Sequence, residues 1–527
     1  SQLEHVMHSG MEVDHFEYTP EKGFAADVSD IDISVLKANN IKINYVIKDL
    51  EKNIAAHNKK IDRVAAREAR RNNGAALGNI AARSTATPTN FTLGSMGGFY
   101  TYAQMQTILD DMRTKFPSLV SVKSNLGNSV QGRAIWMVKI SDNPDVDENE
   151  PRTCLNGLHH AREPISITQL IHFMWYILEN YNTDKEIKSL INSSEIYFVP
   201  CINPDGYVYN QTTNPSGGGN WRKNRKLNSG GSYGIDLNRN YSYKWGFDNV
   251  GSSPTQSSDT YRGTAAFSEP EIQVMRNFYN AKNVKTGINY HSYGNKCLHP
   301  NAFEAALNTN PELPFFTTIG NYLTTENGFQ VGNTYSTLQY TANGNAVDWM
   351  YFEQTSKIKC YNFTVEVGSS SDGFWPASSR ITPICNSNVD INLNMLRIST
   401  YHGLATQNGA TTFSTPTTGA VNFSFKNFSI TPTSYTVSLT PITAGVTSTI
   451  APKTISGLAM LATQQNAFTF SIDPASPSNK VFQFALTVDN GLSTITDTVS
   501  VTYVFTDTQA PTAPTGLTAA GTTQTST

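Results

Sequence analysis

Charge of either sign is scarce in this chain. Only 15% of its 527 residues are Asp, Glu, Lys or Arg, and the formal balance is −3. No basic field therefore exists to attract nucleic acid or an anionic membrane. Cysteine is scarcer: the five residues Cys154, Cys201, Cys297, Cys360 and Cys385 are too few, and odd in number, for a disulfide framework in a chain this long. Cys154 and Cys201 stand at or near the ends of apolar strand runs and read as buried small residues; Cys297 and Cys360 are a pairing that spacing alone leaves open. No run of about 18 apolar residues occurs, which argues against a membrane-spanning helix. An apolar signal segment is also missing, since the chain opens at Ser1 on a polar stretch, and for a secreted product such a segment would have been removed earlier. Against these absences, Ser, Thr, Asn and Gly are plentiful, with 24 Tyr and 26 Phe. That balance suits an extracellular protein with β-rich parts, and the length predicts two to four domains.

Texture divides the chain. Residues 1–62 carry small α+β signals: a strand over 23–28, a helix opening near Ser29, and alternation over 41–47 that predicts a further strand. Residues 63–96 are basic and Ala-rich, then rich in Ser, Thr and Pro, with Arg63, Arg67, Arg70, Arg71 and Arg83. They read either as a solvated helix and linker or as a connector open to trypsin-like cleavage. Over 97–408, apolar strand runs alternate with helical patterns such as 102–115 and 165–180, which predicts an α/β domain: a mixed sheet with helices on both faces. Residues 411–506 are short alternating runs rich in Thr and Ser, the pattern of a β-sandwich of about seven strands. Residues 507–527 read as a linker, and Ala510-Pro-Thr-Ala-Pro-Thr-Gly-Leu-Thr resembles the opening of a fibronectin type III module.

The chemistry begins at His160-Ala161-Arg162-Glu163, just past the apolar run Thr153-Cys154-Leu155. A His and a Glu three positions apart can close on one metal ion, and the turn leaving a buried strand is where α/β folds place their sites. Alone, the pair is a weak signal. In order there follow Asn203-Pro-Asp-Gly-Tyr207, Trp221-Arg-Lys-Asn-Arg225, Asp236-Leu-Asn-Arg-Asn240 and Asn289-Tyr-His-Ser-Tyr293. Tyr340 then precedes Asn343-Gly-Asn345 and Val347-Asp-Trp349, and the last block is Phe363-Thr-Val-Glu366. Seven blocks in this order make residues about 97–405 resemble the zinc metallocarboxypeptidases of the carboxypeptidase A superfamily. The likeness is greatest to its secreted bacterial members of the carboxypeptidase T type, which share Leu-His-His-Ala-Arg-Glu and the run from Tyr261 to Glu271.

The resemblance implies one zinc ion held by His160, Glu163 and His291, with water in the fourth position. His159, four positions from Glu163, is then a packing or supporting residue. Glu366 is implied as the general base acting on the zinc water; a carboxylate ending an apolar strand is costly unless it has a partner or a task. Arg222 is implied as the cation beside the reacting carbonyl, with Lys223 and Arg225 structural or solvated. Arg239 with Asn238 matches the clamp for the substrate's terminal carboxylate. Tyr340 matches the family's mobile phenol, and Arg162 holds substrate further out. Val347 stands where basic-specific members carry Asp. With Leu298, Ala342, Ala346, Thr364 and neutral Asn345 it predicts a pocket for apolar or aromatic C-terminal residues, which Tyr335 and Gln339 narrow or polarise. The acidic loop of Asp147, Glu148 and Glu150 offers oxygen ligands for calcium, as in carboxypeptidase T, although Arg152 opposes a cation there. The full expectation is a secreted, monomeric precursor whose propeptide (1–62) is released by a trypsin-like protease and whose substrates are peptide or protein C-termini. The rival readings are an amidohydrolase acting on cell-wall peptides and a silent peptide-binding relative.

Overall fold

The computed structural model describes residues 16–19, 23–26, 28, 30–71, 87–306, 310–431, 433–505 and 516. Arg83, the rest of the 72–86 connector and the tail beyond 505, Gly516 apart, lie outside them.

Strands β1 (Phe16–Thr19) and β2 (Gly23–Ala26) form an antiparallel hairpin, followed by the helix Asp30–Ala38. Leu36 anchors a small cluster with Phe24, Ala26, Val28, Ile41 and Ile43. The strand expected over 41–47 is not formed: Ile41 and Ile43 lean onto Leu36, while Tyr45, Val46 and Ile47 are exposed. Alternation without a neighbouring strand leaves the backbone to water, so the segment stays irregular. The helix Leu50–Arg71 then carries the chain into the basic stretch.

The main sheet contains β3 (Ser124–Asn128), β4 (Ala134–Ile140), β5 (Arg152–Gly157), β6 (Glu195–Val199), β7 (Thr286–His291), β8 (Lys296–Leu298), β9 (Gln330–Gly332) and β10 (Tyr361–Glu366). Their spatial order is β3-β4-β6-β5-β7-β10-β8-β9. The central strands β6, β5, β7 and β10 run parallel, with β4 and β8 antiparallel at their flanks. Central parallel strands are covered on both faces, which is why they read as nearly continuous apolar runs. Cys154 and Tyr197 face the helices Pro270–Lys282 and Ala346–Phe352, in a core with Phe278, Tyr279, Trp349 and Met350. On the opposite face Phe198 meets Phe173 of the helix Ile165–Asn180, and the Tyr290 hydroxyl donates to Asn392 of the helix Val389–Ser399 at 2.6 Å.

All five cysteines are buried thiols. Cys297 pairs in register with Val365, so Cys360 lies five residues along the neighbouring strand. At about 3.3 Å per residue that is far beyond disulfide reach, and the pairing left open by the sequence is excluded.

Among the described residues, 403–428 and 433–505 form a second compact unit. It begins ahead of the compositional change at 411, because β11 (Gly403–Asn408) pairs within it. Its other strands are β12 (Thr412–Phe413), β13 (Thr418–Asn427), β14 (Ser434–Pro441), β15 (Lys453–Ser456), β16 (Thr463–Ser471), β17 (Lys480–Asp489) and β18 (Thr494–Tyr503). One sheet is β11-β13-β16 and the other β12-β18-β17-β14-β15. Alternate residues from both, including Phe423, Phe425, Phe470, Phe482 and Phe484, share one core. This is the inward–outward pattern of a β-sandwich.

At the start of the helix Pro270–Lys282, Glu269 and Glu271 both accept from the Asn224 side-chain amide, at 2.7 and 3.3 Å. Burial, with help from the nearby charges of Glu269 and Asp205, pushes the Glu271 carboxyl up to about 7 from its usual 4.5. A raised folded-state pKa contributes stability that is complete below about 4.5 and lost as the pH rises through about 7. Glu271→Gln should therefore raise the melting temperature at pH 8, by an equivalent of about 1–3 kcal/mol, and give no gain at pH 4.5. Denaturation scans at the two pH values check this.

Candidate active site

Three strand ends build the site. β5 delivers the turn that carries His160 and Glu163, β7 ends at His291, and β10 ends at Glu366, which lies directly opposite His291 in register. All are buried at the C-terminal edge of the parallel strands, where side chains of neighbouring strands converge. His160 Nδ1 lies 2.8 Å from Glu163 Oε1, His291 Nδ1 lies 3.0 Å from Glu163 Oε2, and the two Nδ1 atoms are 3.1 Å apart. Two imidazole nitrogens and a carboxylate that point at one spot repel unless a cation or proton lies between them. Their chemistry and spacing suit zinc, whose bonds to His and Glu are about 2.0–2.2 Å and whose ligands sit about 3.3 Å apart in a tetrahedron. Burial alone would raise the Glu163 carboxyl, but the two imidazoles hold it well below the usual range.

Behind the donors stands Asp236, a residue whose part in the site was not foreseen in the sequence. Its Oδ1 faces His160 Nε2 at 3.2 Å, and its Oδ2 accepts from Arg222 Nη2 at 2.7 Å and Nε at 3.1 Å. Burial opposes its charge, yet Arg222, His160 and Arg239 hold the carboxyl well below its normal value. A proton on Nε2, donated to Asp236, leaves Nδ1 unprotonated and aimed at the ligand cluster. The only signal in the sequence was that Asp236 opens the Asp-Leu-Asn-Arg-Asn block. His159 plays a supporting part: Nε2 meets the Tyr241 hydroxyl at 2.9 Å, and its ring stacks on His291 at 5.3 Å and 12°.

A cleft opens onto these donors. His160, His291, Glu366, Asn238, Arg239, Tyr340 and Val347 line it, with Leu298, Ala302, Thr334, Ala342, Asn345 and Thr364. Arg239 is fixed by Nε to Gly251 O (2.9 Å) and Nη1 to Asn238 O (3.0 Å). Asn238 Oδ1 caps the helix Ala346–Phe352 by accepting from Ala346 N at 2.9 Å. Ala346 itself packs into the main core rather than the cavity. Tyr335 and Gln339 are exposed and absent from the lining, whereas Ala302 and Thr334, which were not anticipated, belong to it. Arg222 and Arg162 are not lining residues. Arg222 is held on Asp236, and Arg162 sits 4.2 Å over the Phe374 ring with Nη1 3.2 Å from Asn220 Oδ1. Lys223 donates to the carbonyls of Gln256 and Ser258, and Arg225 packs on the rings of Tyr209, Trp221 and Tyr233.

Nothing supports calcium on the acidic loop as it was expected: Glu148 and Glu150 gather with Asp142 rather than with Asp147. Both Asp147 oxygens are instead engaged by Lys282 Nζ, at 2.8 and 2.7 Å. Burial and the Glu148 charge push the Glu150 carboxyl up to about 8.

Residues 105–391 match a family model described as zinc carboxypeptidase. A zinc carboxypeptidase of Saccharothrix mutabilis subsp. capreolus is 34% identical over 54% of this chain and 65% of its own length. A carboxypeptidase B of Astacus astacus is 31% identical over 54% of this chain and 91% of its own. The chain thus spans about two thirds or less of some relatives, such as the first. Among solved structures, a carboxypeptidase A from Helicoverpa armigera superposes with a TM-score of 0.57 at 22% identity, over 74% of this chain and 92% of that one. At that identity the likeness supports the fold alone. No helix among the described residues is long and apolar enough to cross a membrane.

Supporting carboxylates of metal-bound histidines are worth about 10–100-fold in metal affinity. Asp236→Asn should weaken zinc binding by that factor in a chelator competition titration, with the wild-type fold retained by circular dichroism.

Proposed function

The chain belongs to the zinc carboxypeptidase family, and on that premise we propose that it hydrolyses the last peptide bond of peptides and proteins, releasing apolar or aromatic C-terminal residues. The observation that carries this reading is a single cavity that combines the metal-ligand cluster, a strand-end carboxylate, a fixed guanidinium and a small apolar floor. His160, Glu163 and His291 would hold the zinc ion, which when bound would supply Lewis acidity and lower the pKa of a water towards neutrality. Glu366 takes the proton of the attacking water and delivers it to the amine nitrogen as the C–N bond breaks. Arg222, anchored on Asp236, meets the charge that grows on the carbonyl oxygen. Arg239 clamps the terminal carboxylate, assisted by the amide N–H2 of Asn238, whose oxygen already caps a helix. Tyr340 closes over the bound residue, and Arg162 steadies substrate further up the chain. Val347, Ala302 and Ala342 pack beside Tyr340 and offer no acid to a Lys or Arg side chain.

The precursor reading also has support. The helix Leu50–Arg71 is bonded to the body of the metal-site domain: Glu51 accepts from Asn214 Nδ2 (3.0 Å) and Asn220 N (3.3 Å), Asn58 Nδ2 donates to Trp375 O (2.6 Å), and Asp62 accepts from Ser379 N (2.9 Å). Asn220 is the partner of Arg162. We read residues 1–62 as a propeptide of a secreted enzyme, 63–96 as the connector cut to release it, and the β-sandwich as a spacer.

Hydrolysis of blocked dipeptides ending in Phe, Leu, Arg or Glu tests the proposal, with and without limited trypsin and with a chelator control. Chelator-sensitive release of Phe and Leu that rises after trypsin is expected; preferential release of Arg or Glu contradicts the pocket assignment. Glu366→Gln should keep zinc and lose roughly 10²–10⁴-fold in kcat, and undiminished turnover in that variant would refute the role given to Glu366.

A further inference from the structure

Immediately behind Val347 lies Asp348, fully buried and outside the cavity lining. Its Oδ1 accepts from Asn301 N at 2.9 Å and Ala302 N at 3.0 Å, and its Oδ2 from Phe303 N at 3.1 Å and Asn345 Nδ2 at 3.0 Å. Three successive backbone N–H groups turned onto one carboxylate form an anion-binding concavity, here with Asn301 at φ +82°. Two further bonds tie this loop to the opposite wall. Ala342 N donates to Ala302 O at 2.7 Å, and Asn345 Nδ2 also donates to Ala342 O at 2.6 Å. Residues 302, 342 and 347 are the small side chains that pack together beside Tyr340. One carboxylate therefore fixes the relative position of both walls and of the helix Ala346–Phe352 that presents Val347.

We propose that Asp348 is a positioning residue that sets the width of the side-chain pocket, and with it the selection of large over small C-terminal residues. The inference rests on reading this cavity as the seat of the C-terminal side chain. An ionised group in such surroundings is tolerable only when its oxygens are fully hydrogen-bonded, so the loop and the carboxylate hold each other. Asp348→Asn places an N–H2 group against at least one backbone N–H, and a buried donor facing a donor drives the loop away. Asp348→Glu keeps the acceptors and pushes the same loop outward. Hydrophobic pockets discriminate by about 10–200-fold per methylene-sized difference, so a small displacement of Ala302 is enough to be read in rates.

The test is the ratio of kcat/KM for blocked dipeptides ending in Phe and in Ala, measured in wild type and both variants alongside zinc content and melting temperature. The expected result is a fall of at least tenfold in the Phe:Ala ratio, carried mainly by KM, with zinc content unchanged. The Asp348→Glu variant gives the same reading if Asp348→Asn does not fold. A ratio that stays at the wild-type value while both rates fall together marks a purely structural aspartate and overturns the inference, leaving the functional reading intact. A wild-type enzyme indifferent to the terminal side chain would overturn the pocket reading and this inference with it.

Discussion

Three lone-pair donors, His160 Nδ1, Glu163 and His291 Nδ1, are forced within about 3 Å of one another in a place that water hardly reaches. Most of the surrounding architecture serves that constraint. The parallel pairing of β5, β7 and β10 brings together residues that are more than a hundred positions apart in sequence. Asp236 orients one imidazole, and the ring of His159 stacks against another. Packing of this kind holds the donors converged before any ion arrives, so that binding energy is not consumed in ordering them.

The cavity is assembled by the same economy of shared groups. Asp236 serves His160 and Arg222 at once, Asn238 caps a helix while lining the cleft, and Asp348 braces two walls. Asp236 and Asp348 are fully buried and Asn238 is half-buried, and each has partners from distant segments. The protein's charge is sparse overall, and the buried carboxylates of Asp236 and Asp348 each accept from several partners, as burial demands.

That distribution explains what could be read in advance. His160 and Glu163 were legible because their relation is local, three positions apart on one turn. The central strands were legible because burial on both faces demands apolar runs, and the sandwich because one-sided burial demands alternation. Asp236 and Asp348 were not legible as organisers: each sits beside a more conspicuous residue, and its meaning lies in groups distant in sequence, the side chains of His160 and Arg222 for one and the backbone N–H groups of residues 301–303 for the other. Asp147 misled for a related reason, since its partner Lys282 lies 135 residues on. The segment 41–47 alternated like a strand but found no neighbour to complete it. Cys297 and Cys360 looked pairable only until the register of β8 against β10 set them five residues apart.

The most direct test of the central claim is the zinc K-edge absorption spectrum of the purified protein. One zinc per chain with a first shell of only nitrogen and oxygen scatterers at about 2.0–2.1 Å, two of them imidazole, is what the cluster of His160, Glu163 and His291 predicts. Sulfur scatterers near 2.3 Å, or a shell without imidazole, would contradict it.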